Sequence, residues 1–364
     1  MTNSLMGNPN DPSLGEPHGN TELTIEQREV EGLSQGAIVR RRFFRHKGAM
    51  TALVVLALVA ILVYSSVGIQ IFEFRIPGWW MWGYETVNPI VNNANPTWVF
   101  PFDFGSHPFG QDNIGRDIFA RVMRGTQQSI AVMVIYGAIA AVVGIVIGAL
   151  AGYYRGWVDA ILMRLTDLII VIPVIVLGAV IGRASGGLGA VVLGIVLGLV
   201  GWTSLARLVR GEFLGLRERE FVDAARVAGA SNARIVFRHI LPNSVGVVIV
   251  STTLLMSAAI LLEAALSFLG FGIRSPDVSL GQLANDYRDA FATRPWLFWW
   301  PGAFIIVIAL CVNFIGDGLR DAFDPRQRRI PGSSGPYRQM FAYVTGRTRR
   351  EAKAADAERR GTAE

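Results

Sequence analysis

Six long apolar segments dominate this 364-residue chain and restrict it to a membrane-spanning helical fold. They cover residues 49–71, 128–152, 160–182, 187–206, 243–268 and 298–318. Each is long enough for the roughly 20 residues that a helix needs to cross a hydrocarbon core about 30 Å thick. Apolar residues make up 51% of the chain, charged residues make up 17%, and the mean hydropathy is +0.39, which argues against a soluble protein. The sequence predicts an all-α polytopic membrane protein with six transmembrane helices.

The distribution of basic residues predicts which side of the membrane each loop faces. Lys and Arg accumulate in cytoplasmic loops, and Arg40, Arg41 and Arg42 precede the first apolar segment. With six spans, most of the 34 Lys and Arg residues then lie on the cytoplasmic side. We expect a multi-pass protein of the cytoplasmic membrane with both termini inside. The net charge of +6 therefore needs no nucleic-acid partner, and the basic clusters face membrane lipid or a protein partner.

This topology divides the chain into five parts along its length. The parts are a cytoplasmic N-terminal tail at 1–48, a first transmembrane helix at 49–71, an extracytoplasmic segment at 72–127, a transmembrane core at 128–325 and a cytoplasmic C-terminal tail at 326–364. Within the second span, Gly144, Gly148 and Gly152 recur every four residues. This spacing is typical of helices that pack closely in lipid, and a glycine-lined gate is the less favoured interpretation.

The cytoplasmic loop at 207–242 carries the most informative pattern in the core. A helix here would show one stripe of mainly small residues, surrounded by charged side chains. The stripe consists of Phe221, Ala224, Ala225, Ala228 and Gly229. Small residues let another surface approach closely, and Pro242 would mark the return of the chain into the bilayer. The pattern predicts an amphipathic, water-facing docking element.

This loop resembles the EAA loop of bacterial binding-protein-dependent ABC transporter permeases. The similarity lies in Asp223-Ala-Ala, in Gly229 six residues after Asp223, and in the closing His239-Ile-Leu-Pro242. Asp223 stands where the family more often has Glu. In that family the loop forms coupling helices that rest in a groove of a separate ATPase subunit. The resemblance implies that ATPase coupling involves Asp223, Ala224, Ala225, Gly229, Leu241 and Pro242.

Three further motifs, at 107–117, 263–272 and 313–325, look like the dipeptide, oligopeptide and nickel importer branch. More narrowly, they are similar to the second permease subunit of that branch. The resemblance implies a membrane complex with a second homologous permease subunit, two ATP-binding subunits and an extracytoplasmic substrate-binding protein. ATP would be bound by the partner subunits, and this chain would carry no cofactor.

Few residues suggest chemistry of the chain's own. It has no Gly-x-x-x-x-Gly-Lys-Ser/Thr run for phosphate binding, and its four histidines and one cysteine lack the spacing of a metal site. We therefore expect no catalytic residues, no metal site and no enzymatic activity in this subunit.

Three acidic residues lie inside or at the ends of apolar spans, where an unpaired charge costs roughly 2.5–3.5 kcal/mol. Asp167 follows Arg164 by three residues, which favours a structural pair between them. Glu263 is either a residue of the translocation pathway or a buried hydrogen-bond partner. Asp317 lies in a cluster with Arg320, Asp321 and Asp324, whose spacing favours ion pairs at a helix end. A place in the translocation pathway and a contact with an ATPase subunit are the alternatives.

Gly115, Arg116 and Asp117 belong to a cluster of glycines and charges in the extracytoplasmic segment. Two interpretations stand side by side: a turn stabilised by local salt bridges, or a surface that touches a substrate-binding protein.

The resemblance implies a permease subunit that forms half of the translocation pathway of an ATP-driven peptide importer. Related transporters carry dipeptides, oligopeptides, nickel chelates or glycosylated solutes. The alternative is a self-contained, proton-coupled secondary transporter in which Asp167 and Glu263 relay protons; such proteins often contain internal repeats, and no convincing repeat is found here. A membrane scaffold or sensor would not explain the docking stripe.

Overall fold

The computed structural model describes residues 35–71, 74–98, 105–184 and 189–324. Of the two expected tails, all but residues 35–48 lie outside the described residues, and so does Pro325 at the end of the last motif. The described chain is helical except for one short hairpin and the loops between helices.

The helices follow one another in the order that the apolar pattern predicts. They are α1 (Gln35–Arg45), α2 (Lys47–Ser66), α3 (Ile118–Tyr154), α4 (Gly156–Ile170), α5 (Val174–Ala184), α6 (Ala190–Gly201), α7 (Thr203–Arg217), α8 (Glu220–Val227), α9 (Leu241–Phe268), α10 (Leu280–Asp286) and α11 (Trp296–Phe323). A helical turn at Asn232–Arg234 and a π-helical turn at Ile235–Ile240 lead into α9 without a break.

Among the described residues, four helical stretches are each long and apolar enough to cross a membrane: α2, α3, Asn232–Phe268 and α11. Two pairs of shorter helices meet the same criterion together. α4 and α5 meet at 71°, and α6 and α7 meet at 44°. Counting each bent pair as one span gives the six spans that the sequence predicts. Pro173 lies at the first break, where a proline disfavours helical geometry in the residue before it.

The ends of the first two spans differ from the predicted ones. α2 ends at Ser66 rather than near residue 71, because Gly68 has a left-handed backbone (φ +78°) and the chain turns into a hairpin. Strands β1 (Gly68–Ile71) and β2 (Phe74–Pro77) pair antiparallel there. α3 begins at Ile118 rather than near residue 128. Its 37 residues measure about 55 Å, so part of the helix extends beyond a hydrocarbon core about 30 Å thick.

α3 is the central helix of the bundle and packs against α6, α7 and α9. Small residues make the closest of these contacts possible. A Cβ atom on Gly148 would lie 2.5 Å from the carbonyl oxygen of Ala206 on α7, far inside van der Waals contact. The glycine spacing in this span therefore serves close helix packing, as the sequence favours.

The bundle has two distinct ends, which we name by the elements found there. The hairpin end holds β1, β2, the start of α3 and an aromatic cluster in which Phe109 stacks on Trp300 with ring centroids 3.8 Å apart. The α8 end holds α8, the π-helical turn and the C-terminal part of α3.

Candidate functional site

α8 is attached to the bundle through one fully buried side chain. Val222 lies in an apolar cluster with Phe213 of α7 and Ile235 of the π-helical turn. Every other residue of α8 is exposed or half-buried. Since the side chains of a helix point in all directions around its axis, a single inward valine leaves the opposite face open.

The predicted small-residue stripe forms most of this open face. Phe221, Ala224, Ala228 and Gly229 are exposed. Ala225 is half-buried and packs against the cluster that holds α8, so its contacts are partly with the chain's own core. The stripe is therefore narrower than the sequence predicts.

Val227 is the most exposed large apolar residue of the segment, with 91% of its surface accessible. Sequence reasoning missed it, although it follows Ala224 by three residues and so shares a helix face with it. Phe237, in the π-helical turn, is 70% exposed and was also missed. We call Phe221, Ala224, Val227 and Ala228 the α8 surface.

Gly229 ends α8 in a left-handed conformation with φ +79°. Its N–H donates to the carbonyl of Arg226 at 2.9 Å, and the Ala230 N–H donates to the carbonyl of Ala225 at 3.0 Å. These two bonds form a Schellman motif, in which glycine is favoured because it has no Cβ. No described atom lies within 4 Å of a Cβ built on Gly229, so within this chain close approach does not explain the glycine.

The remaining predicted coupling residues take different positions. Asp223 pairs with Arg226 across one turn at 2.8 Å, and both are exposed. Leu241 is half-buried and donates its N–H to the carbonyl of Val236, five residues back. Pro242 lies in the first turn of α9, where a proline is tolerated, and the helical turns before it run into α9 without a break.

Ion pairs and polar contacts tie the α8 end to the rest of the bundle. Arg155, between α3 and α4, bonds to Glu218 at 2.8 Å. Arg210 of α7 makes two bonds to Asp159 of α4, at 2.5 and 2.6 Å. The Tyr153 hydroxyl donates to Asn232 at 2.8 Å. α4, α7 and the segment that carries α8 are thus linked side chain to side chain.

Asp167 is paired, but not with the residue that the sequence indicates. Its carboxylate accepts a hydrogen bond from Arg207 of α7 at 2.5 Å, and no ion pair with Arg164 forms. The local helix spacing suggested Arg164. The tertiary packing of α4 on α7 supplies a partner 40 residues away instead.

At the hairpin end, Gly115, Arg116 and Asp117 form a buried turn. Arg116 donates to Asp112 at 2.6 Å. The Asp117 carboxylate caps α3 by accepting from the Ala120 N–H at 2.8 Å, and it contacts His107 Nδ1 at 2.7 Å. Burial raises the pKa of the Asp117 carboxyl, although the hydrogen bonds it accepts act in the opposite direction.

The burial of this turn bears on the two interpretations left open for these residues, a salt-bridged turn and a contact with a substrate-binding protein. Gly115 and Asp117 are buried, so neither residue is accessible at the surface of the described chain. Only Arg116 of the three is partly exposed. The geometry is that of the salt-bridged turn.

Glu263 is fully buried in α9 and connects α9 to α3. Its carboxylate accepts hydrogen bonds from Ser129 of α3 at 2.6 Å and from Ser267 one turn further along α9 at 2.7 Å. Both oxygens therefore have a partner. These contacts are the ones that the buried hydrogen-bond interpretation requires.

Asp317 lies apart from the other candidate residues, on an exposed position of α11. Within the described part of the chain it forms no ion pair. The neighbouring Asp321 instead contacts His46 at 3.3 Å, and the Asp324 carbonyl accepts from Arg42 at 3.2 Å. The acidic residues predicted to cluster here therefore have separate contacts. Asp321 and Asp324 hold the end of α1 and the start of α2 against the end of α11. In the described ranges no group of three or more His, Cys, Asp or Glu is arranged to hold a metal.

Comparison with known proteins places the chain in a family. Residues 144–329 match the model of the binding-protein-dependent transport system inner membrane component, and residues 34–96 match the N-terminal transmembrane domain of oligopeptide transport permease C. The first match covers about half of the chain, from the middle of α3 to beyond α11. The chain belongs to the binding-protein-dependent inner-membrane transport components.

Whole-length relatives of this transport component agree with the family match. This chain is 35% identical over 304 residues to the oligopeptide transport system permease protein OppC of Mycobacterium bovis. The aligned region covers 83% of this chain and 98% of the relative. The chain is 36% identical over 308 residues to OppC of Haemophilus influenzae, with coverages of 84% and 93%. A putative peptide permease protein of Brucella ovis is 38% identical over 300 residues, with coverages of 80% and 92%.

Among solved structures, the transport component is similar to a chain of the inward-facing MetNI methionine ABC transporter. The TM-score is 0.47 at 20% identity, covering 57% of this chain and 98% of that one. The resemblance to ABC permeases that the motifs indicate is confirmed by the family matches and the relatives. The transport component is a multi-pass transmembrane permease subunit.

Proposed function

We propose that this permease subunit forms half of the translocation pathway of an ATP-driven importer of short peptides. The observation that carries the proposal is the α8 surface: exposed, mainly apolar and small, and held in place by one buried valine. An apolar patch left open on a rigid element is typical of a docking site for another protein. The relatives named as oligopeptide and peptide permeases support peptides as the cargo class.

A separate ATPase subunit is the occupant that this surface fits. The loop contains a short helix flanked by ion pairs, and the basic residues Arg155, Arg210 and Arg217 lie at the same end of the bundle. We assign that end to the cytoplasm, where ATP is available, and the hairpin end to the opposite side. Both termini are then cytoplasmic, and ATP and its hydrolysis belong to the partner subunits.

The contacts around α8 suggest how ATPase movement would reach the pathway. A push on α8 is passed through Val222 to Phe213 of α7, because a packed core moves as a unit rather than deforming continuously. The Arg210–Asp159 pair carries the same displacement to α4. α4 and α7 each belong to one of the two bent spans, which have a break where an angle can change.

The pathway also needs partners beyond the ATPases. α4, α5 and the break between them expose large apolar side chains, including Leu168, Val171 and Val180. Such faces fit lipid and a second, homologous permease subunit, since six spans alone make a thin wall around a pathway. An extracytoplasmic substrate-binding protein would deliver the cargo at the hairpin end.

The proton-coupled alternative finds little support in the same geometry. Asp167 is engaged by Arg207, and Glu263 has both oxygens occupied by serines. A proton relay requires carboxylates that gain and lose protons along a connected path. The two residues are on different helices, and each is held by its own partners.

The experiment that tests the proposal is affinity purification of this chain in mild detergent, followed by identification of its partners and an ATPase assay. We expect a second permease, ATP-binding subunits and ATP hydrolysis, and ATP-driven uptake of labelled trialanine after reconstitution. Recovery of the chain alone, with proton-driven uptake in vesicles without ATP, would overturn the proposal.

A further inference from the structure

The hairpin end contains a cleft of about 270 Å³ that is separate from the α8 surface. Its walls come from the segment after the hairpin, the start of α3, the loop before α10, and α10 itself. Charged side chains of both signs line it. They are Glu85, Arg116, Arg121, Asp277 and Asp286.

Arg121 is the unusual member of this set. The residue is only 3% exposed, yet its Nε atom is buried without a hydrogen-bond partner among the described residues. Its nearest acidic group, on Asp286, is 3.8 Å away, beyond hydrogen-bond distance. Buried polar groups are normally paired, and a guanidinium has five N–H donors to satisfy. A buried guanidinium in this state fits a site for an acceptor that comes from outside the chain.

Arg116 offers further donors beside it. Its Nε is bonded to Asp112, and in the described chain its two terminal nitrogens have no hydrogen-bond partner. Among the acidic residues of the cleft, Asp277 already accepts hydrogen bonds from Arg124, from Gln128 and from the Val278 N–H. Asp277 is therefore part of the wall rather than a free acceptor.

Two other acidic residues remain available to a ligand. The Asp286 side chain is 37% exposed and is held only by the long contact to Arg121. Glu85 is exposed and has no ion pair among the described residues. The cleft thus brings together, within one small volume, cationic donors and carboxylates that make no hydrogen bond to each other within the described chain.

We propose that this cleft binds a small zwitterion, a free amino acid or a short peptide of two or three residues. The ligand carboxylate bonds to Arg121 and Arg116, and its ammonium group bonds to Asp286 and Glu85. The cleft volume lies near the lower limit for small-molecule sites, which suits a ligand of this size. A protein side chain would bring only one sign of charge and leave half of the cleft unpaired. This site is distinct from ATPase coupling and does not depend on it.

The test measures binding of labelled trialanine to the purified membrane complex in the absence of ATP. Trialanine amide lacks the carboxylate, and N-acetyl-trialanine lacks the ammonium group, so each probes one half of the cleft. We expect each modification to weaken binding by about 10- to 100-fold, the range for one charged hydrogen-bonding contact. Arg288→Gln, an exposed position outside the cleft, is the control and leaves binding unchanged.

Two substitutions assign the charges to residues. Arg121→Gln leaves Arg116 as a carboxylate donor and is expected to reduce the preference for trialanine over its amide. Asp286→Asn leaves Glu85 and is expected to reduce the preference over the acetylated form. Asp286 is partly exposed, so its substitution remains informative if Arg121→Gln fails to fold. A change of selectivity cannot arise from loss of structure alone. Absence of trialanine binding, or unchanged selectivity in Asp286→Asn, overturns the proposal, whereas ATP-driven uptake tests the importer function independently.

Discussion

Val222 and Val227 lie five residues apart on α8, yet Val222 is fully buried and 91% of Val227 is exposed. The same residue type is thus used for two purposes on one eight-residue helix. Val222 fixes the helix to α7 and the π-helical turn, and Val227 projects from the opposite side. This arrangement gives a rigid mount with an open apolar face, which is what transmission of force from one protein to another requires.

Shortening each valine should therefore have different effects. Val222→Ala removes two buried carbons and is expected to weaken the attachment of α8 by about 1.5–2 kcal/mol. Amide hydrogen exchange across residues 217–230 should accelerate in that variant. Val227→Ala, the matched control, should leave exchange unchanged in the isolated subunit. Equal exchange in both variants would mean that Val222 is not the anchor.

Substitutions at Gly229 separate two explanations for this glycine. The backbone there is left-handed, a conformation that costs a residue with a Cβ roughly 1–2 kcal/mol but that Asn adopts more readily than Ala. If conformation decides, Gly229→Asn should retain more uptake than Gly229→Ala at equal membrane abundance. If space for a partner decides, the smaller Ala should retain more. We expect the first order, with Gly229→Arg losing coupling but remaining in the membrane.

Glu263 should tolerate loss of its charge better than loss of its hydrogen bonds. Glu263→Gln keeps groups that can bond to Ser129 and Ser267, so near-normal abundance and uptake are expected. Glu263→Ala leaves both serine hydroxyls buried without their acceptor, at about 1–3 kcal/mol each, and should lower abundance in the membrane. Abundance and uptake are measured together. Complete loss of uptake in Glu263→Gln at normal abundance would support a proton-coupled role instead.

Asp117 should make the stability of the hairpin end depend on pH. Its pKa is raised above the ordinary value of 3.8, so the folded state holds this proton more tightly than the unfolded state. The stability contributed by that proton is present below pH 3.8 and is lost as the pH rises through the folded-state pKa. Asp117→Asn lacks this loss, so its melting temperature relative to the wild type should rise from acid to neutral pH. A constant difference across that range would contradict the shift.

Much of the fold could be predicted from the sequence because a bilayer allows so few solutions. In lipid, the backbone N–H and C=O groups of an apolar run must be hydrogen-bonded within the protein. A helix satisfies them within a single segment. The exposed small-residue stripe was also predictable, since it is a local pattern of residues three and four apart. The early end of α2 could not be predicted, because the apolar run continues past Ser66 while the backbone turns at Gly68.

The partners of the charged residues could not be read from local spacing. Asp167 on one bent span bonds to Arg207 on the next, and Glu263 bonds to Ser129, which lies 134 residues earlier in the chain. Helix rotation within the bundle decides such contacts, and apolar composition does not encode it. For the same reason the sequence suggested the wrong partner for Asp167 and gave no sign that Asp117 is buried.

The most direct test of the proposed coupling compares Val227→Glu with Val227→Leu in the purified and reconstituted complex. Val227 makes almost no contact within the chain, so neither change should affect folding or membrane abundance. A buried, unpaired carboxylate disrupts an apolar protein contact, whereas leucine preserves it. We predict that Val227→Glu loses the ATPase subunits and ATP-driven uptake and that Val227→Leu retains both. Normal ATPase association and uptake in Val227→Glu would contradict the assignment of the α8 surface as the coupling site.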